Sequence, residues 1–188
     1  MKTKMKTSDL VLIGAFAALM TVCAWITVPA TVPFTLQTFG VFAAFILLGG
    51  RRGSLAVLVY ILLGAVGLPV FSGFKGGIGV LLGTTGGYII GFIFSSLAMW
   101  GADTLIKKRE VSGRTAKLML GFLELLLGLF VCYAFGTAWF MAVFTRTKGA
   151  VGLVTCLSWC VFPFIIPDLI KLTFALLLGT RIKKYVTP

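Results

Sequence analysis

An acid and a base lie three residues apart near the carboxyl end of the chain, inside a stretch that is otherwise apolar. They are Asp168 and Lys171 of the segment Pro167-Asp168-Leu169-Ile170-Lys171. An ionisable side chain in membrane hydrocarbon costs roughly 2.5–3.5 kcal/mol, so it usually marks a pathway or a binding site. Residues three apart share one helix face, so both groups point at the same partner. They form either a structural ion pair or a ligand clamp, and the features below favour the clamp.

The proline before this pair predicts where the last helix begins. Proline suits the first turn of a helix, so we expect a helix over about 167–180 that starts at Pro167. Asp168 would then lie at the positive end of the helix dipole, which stabilises a carboxylate.

Composition identifies the class of protein that carries the pair. The 188 residues are 59% hydrophobic and only 12% charged, whereas about a quarter of the residues in a soluble domain are charged. The mean hydropathy is +1.08. We therefore predict an all-α polytopic protein of the lipid bilayer, with five or six transmembrane helices in one domain that spans residues 1–188. A net charge of +12 would suggest nucleic acid as the partner of a soluble protein, but here we assign it to membrane topology.

Several classes of chemistry lack their usual residues. The chain has no histidine, which is the commonest general base and metal ligand, so we expect no enzyme activity and no metal site. It has no G-x-x-x-x-G-K-[ST] motif, so we do not expect it to hydrolyse ATP. The four cysteines lie in apolar runs and are interpreted as small core residues, and we expect no cofactor.

Apolar runs separated by turn residues predict the spans. They lie at about 10–28, 34–49, 54–68, 88–106, 118–143 and 167–180. A further hydrophobic segment, over 150–166, leads into the last of them. The connection at about 29–33 contains two prolines, and the one at about 69–87 contains seven glycines. Apolar residues interleave with those glycines, so the second connection is either an inward-folded cap or a flexible linker.

The cations predict the orientation of the spans. If the amino terminus is inside, the inside segments carry thirteen Lys and Arg residues and the outside loops carry three. This bias agrees with the positive-inside rule and leaves Lys171 as the one cation within a span. Both glycine- and proline-rich connections then lie on the outer side with the Asp168 pair, so the site would open outward.

The first predicted span carries small residues four apart, Gly14 and Ala18. Such a face allows close approach of another helix in lipid. It could serve packing within this chain or docking of a different membrane subunit.

Three motifs together carry a resemblance to a known family. VPFTLQTFGV (32–41), GLPVFSGFKGGIGVLLGTTGGYIIGFI (67–93) and PDLIK (167–171) resemble BioY, the biotin-specific substrate-binding subunits (S components) of energy-coupling-factor (ECF) transporters. The resemblance implies a six-helix fold in the bacterial cell membrane, with both termini in the cytoplasm. It implies a biotin site near the outer face and assembly with a membrane coupling subunit (T component) and ATP-binding subunits. It also implies an A-x-x-x-A docking face, which Gly14 and Ala18 match with glycine in the first place.

The chemistry of biotin and the residues agree on the expected site. The ureido N–H groups need an acceptor, which Asp168 offers, and the ureido carbonyl needs a donor, which Lys171 offers. Lys75 could meet the valerate carboxylate near the mouth. The expected lining and further polar contacts are Phe34, Phe71, Phe74, Tyr88, Trp25 and Gln37. A stand-alone small-solute transporter and an S component for another vitamin remain alternatives.

Overall fold

Backbone groups inside a bilayer must pair within the chain, and the apolar runs accordingly form helices. A computed structural model describes residues 5–29, 32–108 and 113–186. In chain order, the elements are α1 (Thr7–Trp25), β1 (Thr27–Val28), β2 (Phe34–Thr35), α2 (Gln37–Ala65), α3 (Ile78–Leu82), α4 (Gly86–Lys107), α5 (Arg114–Lys148), α6 (Leu153–Cys160) and α7 (Phe162–Val186). Five of these described helices are long and apolar enough to cross a membrane, namely α1, α2, α4, α5 and α7. The predicted helical membrane fold is confirmed.

Helix α2 is a hairpin of two helical halves. Its backbone is non-helical at Gly49, where φ is 79° and ψ is 170°. The Gln37 amide donates a hydrogen bond of 2.6 Å to the Tyr60 hydroxyl, whereas 23 residues of straight helix would separate them by about 34 Å. The two halves are therefore antiparallel, and α2 supplies the second and third predicted spans. With α2 counted as two helical halves, the long apolar helices correspond in order to the six predicted spans.

The last helix begins earlier than the sequence predicts. α7 runs from Phe162 through Pro167, so the prediction of a helix start at Pro167 is wrong. Proline lacks the N–H that would pair with the carbonyl of Pro163, so α7 lacks one backbone hydrogen bond near its start. Asp168 consequently lies in the second turn. The helix dipole acts mainly on the first turn, so other groups must stabilise this carboxylate.

The outer connections are more ordered than the predicted loops. β1 and β2 pair antiparallel, with Thr27 opposite Thr35, around the proline-rich connection. The glycine-rich connection contains the short helix α3, and α4 starts at Gly86. Phe71 of this connection is fully buried. The connection therefore packs as a cap, although only part of its apolar surface faces inward.

Two hydrogen bonds attach this cap to the outer end of α1. The Trp25 indole N–H donates to the Pro69 carbonyl at 2.8 Å. The hydroxyls of Thr27 and Ser72 share a bond of 2.9 Å. The first helix and the segment that covers the site are thus held together.

The core between the helices is dominated by α2, whose side chains Phe42 and Tyr60 are almost completely buried. The four cysteines are buried and unoxidised, in agreement with their interpretation as core residues. The two ends of the bundle differ in character. The hairpin turn at Gly49 lies with the start of α1 and the ends of α4 and α7, opposite the cap.

The hairpin turn makes a prediction about stability. Replacing Gly49 with alanine should destabilise the protein by about 1–3 kcal/mol, because this φ and ψ combination is nearly exclusive to glycine. A steric clash does not contribute to this loss, since a Cβ at Gly49 would meet no atom within 4 Å. The measurement is thermal unfolding of the detergent-solubilised protein.

Gly101→Ala provides the matched control. Gly101 is helical, and a Cβ there also meets nothing within 4 Å, so this variant should be at least as stable as the parent. Equal stability of the two variants would contradict a strained hairpin turn.

Candidate ligand-binding site

A cavity of about 380 Å³ lies beneath the cap, within the size range of small-molecule sites. Its walls come from the start of α2, the glycine-rich connection, α4, α5, α6 and α7. The polar lining residues are Thr35, Gln37, Thr38, Ser72, Lys75, Thr84, Thr85, Tyr88, Tyr133, Asp168 and Lys171. The other lining residues are Val32, Pro33, Phe71, Gly79, Val80, Gly83, Ile89, Phe92, Cys132, Cys160 and Phe164. The cavity combines apolar walls with several polar groups that converge on it, which is typical of a binding site.

The carboxylate of Asp168 is held by three neighbouring side chains. Its Oδ1 atom accepts from Lys171 Nζ at 2.7 Å and from the Thr38 hydroxyl at 2.9 Å. Its Oδ2 atom accepts from the Tyr133 hydroxyl at 2.5 Å. The Asp168 residue is only 3% exposed, so these bonds replace the water that the charge has lost. They supply the stabilisation that a first-turn position would otherwise have given.

The ammonium group of Lys171 is equally well surrounded. It donates to Asp168 and to the Thr35 carbonyl, each at 2.7 Å. Its contact with the Thr38 hydroxyl is longer, at 3.4 Å. The Phe34 ring lies 4.1 Å from the nitrogen and adds a cation–π contact. The pair is thus preorganised by the protein, and the long bond to Thr38 is the one most easily exchanged for a ligand.

Four other predicted residues line the same cavity. The side-chain amide N–H of Gln37 donates to the Tyr60 hydroxyl, and the Gln37 Oε1 atom accepts from the Thr35 hydroxyl at 3.1 Å. Tyr88 shares a hydrogen bond of 3.0 Å with Thr137. Phe71 forms a buried wall, and Lys75 is exposed at the edge of the lining.

The ring of Tyr88 needs a glycine opposite it. An ideal Cβ built on Gly136 would lie only 2.2 Å from this ring. Gly136 therefore admits the tyrosine to its position in the cavity wall.

The structure places three expected aromatic residues outside the lining. Phe34 lies behind the pair, against Lys171 and stacked 5.9 Å from Phe164. Phe74 is 65% exposed and contacts Trp25, with ring centroids 5.0 Å apart. Phe74 also has a φ of 57°, which is uncommon for a residue other than glycine. Phe74 and Trp25 thus form a contact on the outside of the cap.

Sequence reasoning missed the residues that hold the pair. Thr38 stands next to Gln37 in a segment already singled out, and only the helical register reveals that it faces Asp168. Tyr133 carries a hydroxyl in the middle of an apolar span. Because a buried hydroxyl needs a hydrogen-bond partner, its position indicates a polar contact inside the bundle. Thr35 contributes its backbone carbonyl, and the contact of a backbone atom cannot be predicted from the residue type.

The small-residue face of α1 lies open. Gly14 and Ala18 are both exposed, and a Cβ on Gly14 would meet no atom within 4 Å. Packing within the described chain therefore does not use Gly14, and the face is free for another partner.

Comparisons with known proteins identify the family of the chain and agree with its fold. A sequence model described as the BioY family matches residues 1–188. The chain is 42% identical over 177 residues to "Biotin transporter BioY" of Thermotoga maritima, covering 94% of this chain and 96% of that protein. It is 38% identical over 181 residues to "Probable biotin transporter BioY" of Pyrococcus horikoshii, covering 95% and 98%. A solved structure, the S-component for biotin from an ECF-type ABC transporter, has a TM-score of 0.80 at 25% identity and covers 96% of this chain and 95% of that one.

The buried pair makes a second prediction about stability. Asp168→Asn and Lys171→Met should each destabilise the protein by about 3–5 kcal/mol, because each leaves an uncompensated charge. The double variant should lose much less than the sum, since both charges are then gone. Chemical unfolding of the four proteins in detergent measures the coupling.

The Asp103–Lys107 ion pair provides the control. Its nitrogen and oxygen are 2.6 Å apart, but the Lys107 side chain is 68% exposed, so Asp103→Asn should cost less than about 1 kcal/mol. Additive losses in the Asp168 and Lys171 double variant would show that the two charges do not stabilise each other.

Proposed function

The chain belongs to the BioY family, and on this premise we propose that it is the biotin-binding S component of an ECF-type ABC transporter. The observation that carries the proposal is the buried Asp168–Lys171 pair facing a cavity of about 380 Å³. Such a cavity takes up a small ligand, and a charged pair in an apolar wall can orient a neutral polar group within it. The function is binding and transport, and no step requires catalysis by this chain.

The ureido edge of biotin fits the pair. Among the described residues, Asp168 Oδ2 has one partner, Tyr133, so it can also accept a ureido N–H. Lys171 can turn its long Thr38 bond toward the ureido oxygen and keep its short bonds to Thr35 and Asp168. Both ligand bonds are charge-assisted and therefore stronger than neutral ones. Because the protein already holds both groups, binding orders few additional side chains.

The rest of biotin fits the remaining walls. The bicycle and valeryl chain are apolar, and Phe71, Phe92 and Ile89 offer matching surface. The valerate carboxylate is placed toward Lys75, an exposed cation among the lining residues. This orientation leaves the neutral ureido group at the buried pair and keeps the ligand's own charge near water, where its desolvation costs least.

We also propose that both termini lie in the cytoplasm and that the cavity faces outward. The cation bias of the sequence supports this orientation. Arg51, Arg52, Lys107 and Lys183 border a cavity at the end opposite the cap. Lys2, Lys4 and Arg109, which contribute to the bias, lie outside the described residues.

Energy for concentrative uptake must come from other subunits. The chain has no P-loop motif, so ATP-binding subunits reached through a coupling subunit are the proposed source. The exposed Gly14 and Ala18 face of α1 is the proposed docking surface, because small residues let helices approach closely in lipid. The cap is bonded to the outer end of this helix, so docking and ligand release share one element.

Loss of either member of the pair should weaken biotin binding. Asp168→Asn removes a charged acceptor and Lys171→Ala a charged donor, and each should lower affinity at least tenfold, since a hydrogen bond to a charged group contributes about 1.5–3 kcal/mol. The measurement is titration of radiolabelled biotin against purified protein in EDTA without nucleotide, where the parent should bind saturably.

Lys107→Ala is the control, because it removes a cation from an ion pair at the opposite end of the bundle. Its affinity should equal that of the parent. Absence of saturable binding by folded parent protein would contradict the biotin assignment. Near-parental affinity of both pair variants would remove the pair from the site but leave the assignment standing.

Larger side chains on the α1 face should impair transport but not biotin binding. Gly14→Leu with Ala18→Leu should leave biotin binding to the isolated chain nearly intact, because neither side chain contacts the cavity. It should abolish assembly with the coupling subunit and ATP-dependent uptake into reconstituted vesicles, because leucine prevents close helix approach.

Ala134→Leu with Ala138→Leu is the matched control, since these residues are also exposed and four apart, but on α5. Uptake should survive in it. Uptake that survives the α1 substitutions and fails in the α5 control would place the docking surface on α5.

A further inference from the structure

A second cavity, of about 740 Å³, lies at the end opposite the ligand cavity. It forms where α1 begins, α2 turns, and α4 and α7 end. Five cations line it, namely Lys6, Arg51, Arg52, Lys107 and Lys183. Ligand binding in the outer cavity gives these residues no role.

The cations outnumber the acids around this cavity. Two acids line it, and each contacts one of the cations: Asp9 lies 3.2 Å from Arg52, and Asp103 lies 2.6 Å from Lys107. Glu124 on α5 lies outside the lining but interacts electrostatically with Lys107 and Lys183. The local balance among the described residues is therefore five cations to three acids, so the cavity attracts anions.

The other walls of the cavity are largely apolar. The apolar lining residues are Met5, Leu12, Leu47, Leu48, Leu55 and Trp100. Membrane topology requires cations on the inner connections, but it does not require them to converge on one cavity with apolar walls. This combination suits an anionic headgroup attached to an acyl chain.

We propose that this cavity binds a phosphate group, supplied by the headgroup of an anionic phospholipid. On the orientation proposed above, it lies at the cytoplasmic leaflet, whose surface is negative. Lys6 and Arg51 are the exposed cations of this lining, and Arg side chains match phosphate oxygens in a bidentate manner. Free phosphate offers the same oxyanion without the acyl chain, so it is the second source to distinguish.

Native mass spectrometry of the detergent-purified full chain tests the site. Incubation with phosphatidylglycerol and phosphatidylcholine of identical acyl chains should yield an excess of phosphatidylglycerol adducts. Each cation near a membrane surface contributes about fivefold to the affinity for anionic lipid. Arg51→Gln with Lys183→Gln should therefore weaken retention of phosphatidylglycerol by about thirtyfold, and the single variant Lys6→Gln by about fivefold.

Arg146→Gln with Lys148→Gln is the matched control, since both cations lie at the other end of α5 and outside this cavity. It should retain phosphatidylglycerol like the parent. Unchanged biotin binding by the Arg51 and Lys183 variant verifies its fold. If that variant does not fold, retention of phosphatidylglycerol by the Lys6→Gln variant tests the proposal instead.

An arm with excess inorganic phosphate distinguishes the sources. Phosphatidylglycerol retained in its presence identifies the lipid as the ligand, and its displacement identifies free phosphate as sufficient. Equal retention of the two lipids by the parent would overturn the proposal, as would parental retention by all cavity variants. Loss of coupling-subunit assembly in the variants, with no lipid preference in the parent, would assign the cavity to an acidic protein surface and overturn it too.

Discussion

The fold depends on keeping one carboxylate and one ammonium charged in a region that excludes water. Asp168 and Lys171 stabilise each other at 2.7 Å, but their mutual attraction alone does not offset the loss of hydration. The protein supplies the remainder through Thr35, Thr38 and Tyr133. These groups come from the entrance to α2 and from α5, so three distant parts of the chain must meet at one point. That requirement positions the helices around the cavity.

The hairpin in α2 makes this meeting possible. Its first half presents Thr38 to α7, and its second half returns Tyr60 to anchor Gln37 beside the same wall. A single non-helical residue, Gly49, is enough to reverse the direction of the helix. The pairing of β1 with β2 then holds the Thr35 carbonyl in place for Lys171. Rigid neighbours on every side explain why the pair can be preorganised.

Composition and motifs predict the class, the order of the long helices and the pairing of Asp168 with Lys171, because these follow from local residue chemistry. Boundaries are less predictable. Pro167 is a typical residue for a helix start, yet α7 begins at Phe162 and continues through it. The residues that complete the site are harder still, since Tyr133 meets Asp168 only in three dimensions and Thr35 contributes a backbone atom. Phe74 is expected in the lining but contacts Trp25 on the outside of the cap, because an aromatic residue in a cap can pack outward as readily as inward.

The two hydrogen bonds between α1 and the cap also couple movement of the cap to movement of α1. Opening the cap would break more than these two bonds, because the Tyr60 hydroxyl also donates to the Val70 carbonyl and Phe71 is fully buried. A cap held at several points opens rarely by itself, and the rate of ligand capture falls in proportion to the open fraction. Once ligand contacts lower that fraction further, residence time lengthens by the same factor. Any displacement of α1 would therefore be transmitted to the cap through the hydrogen bonds at Trp25 and Thr27.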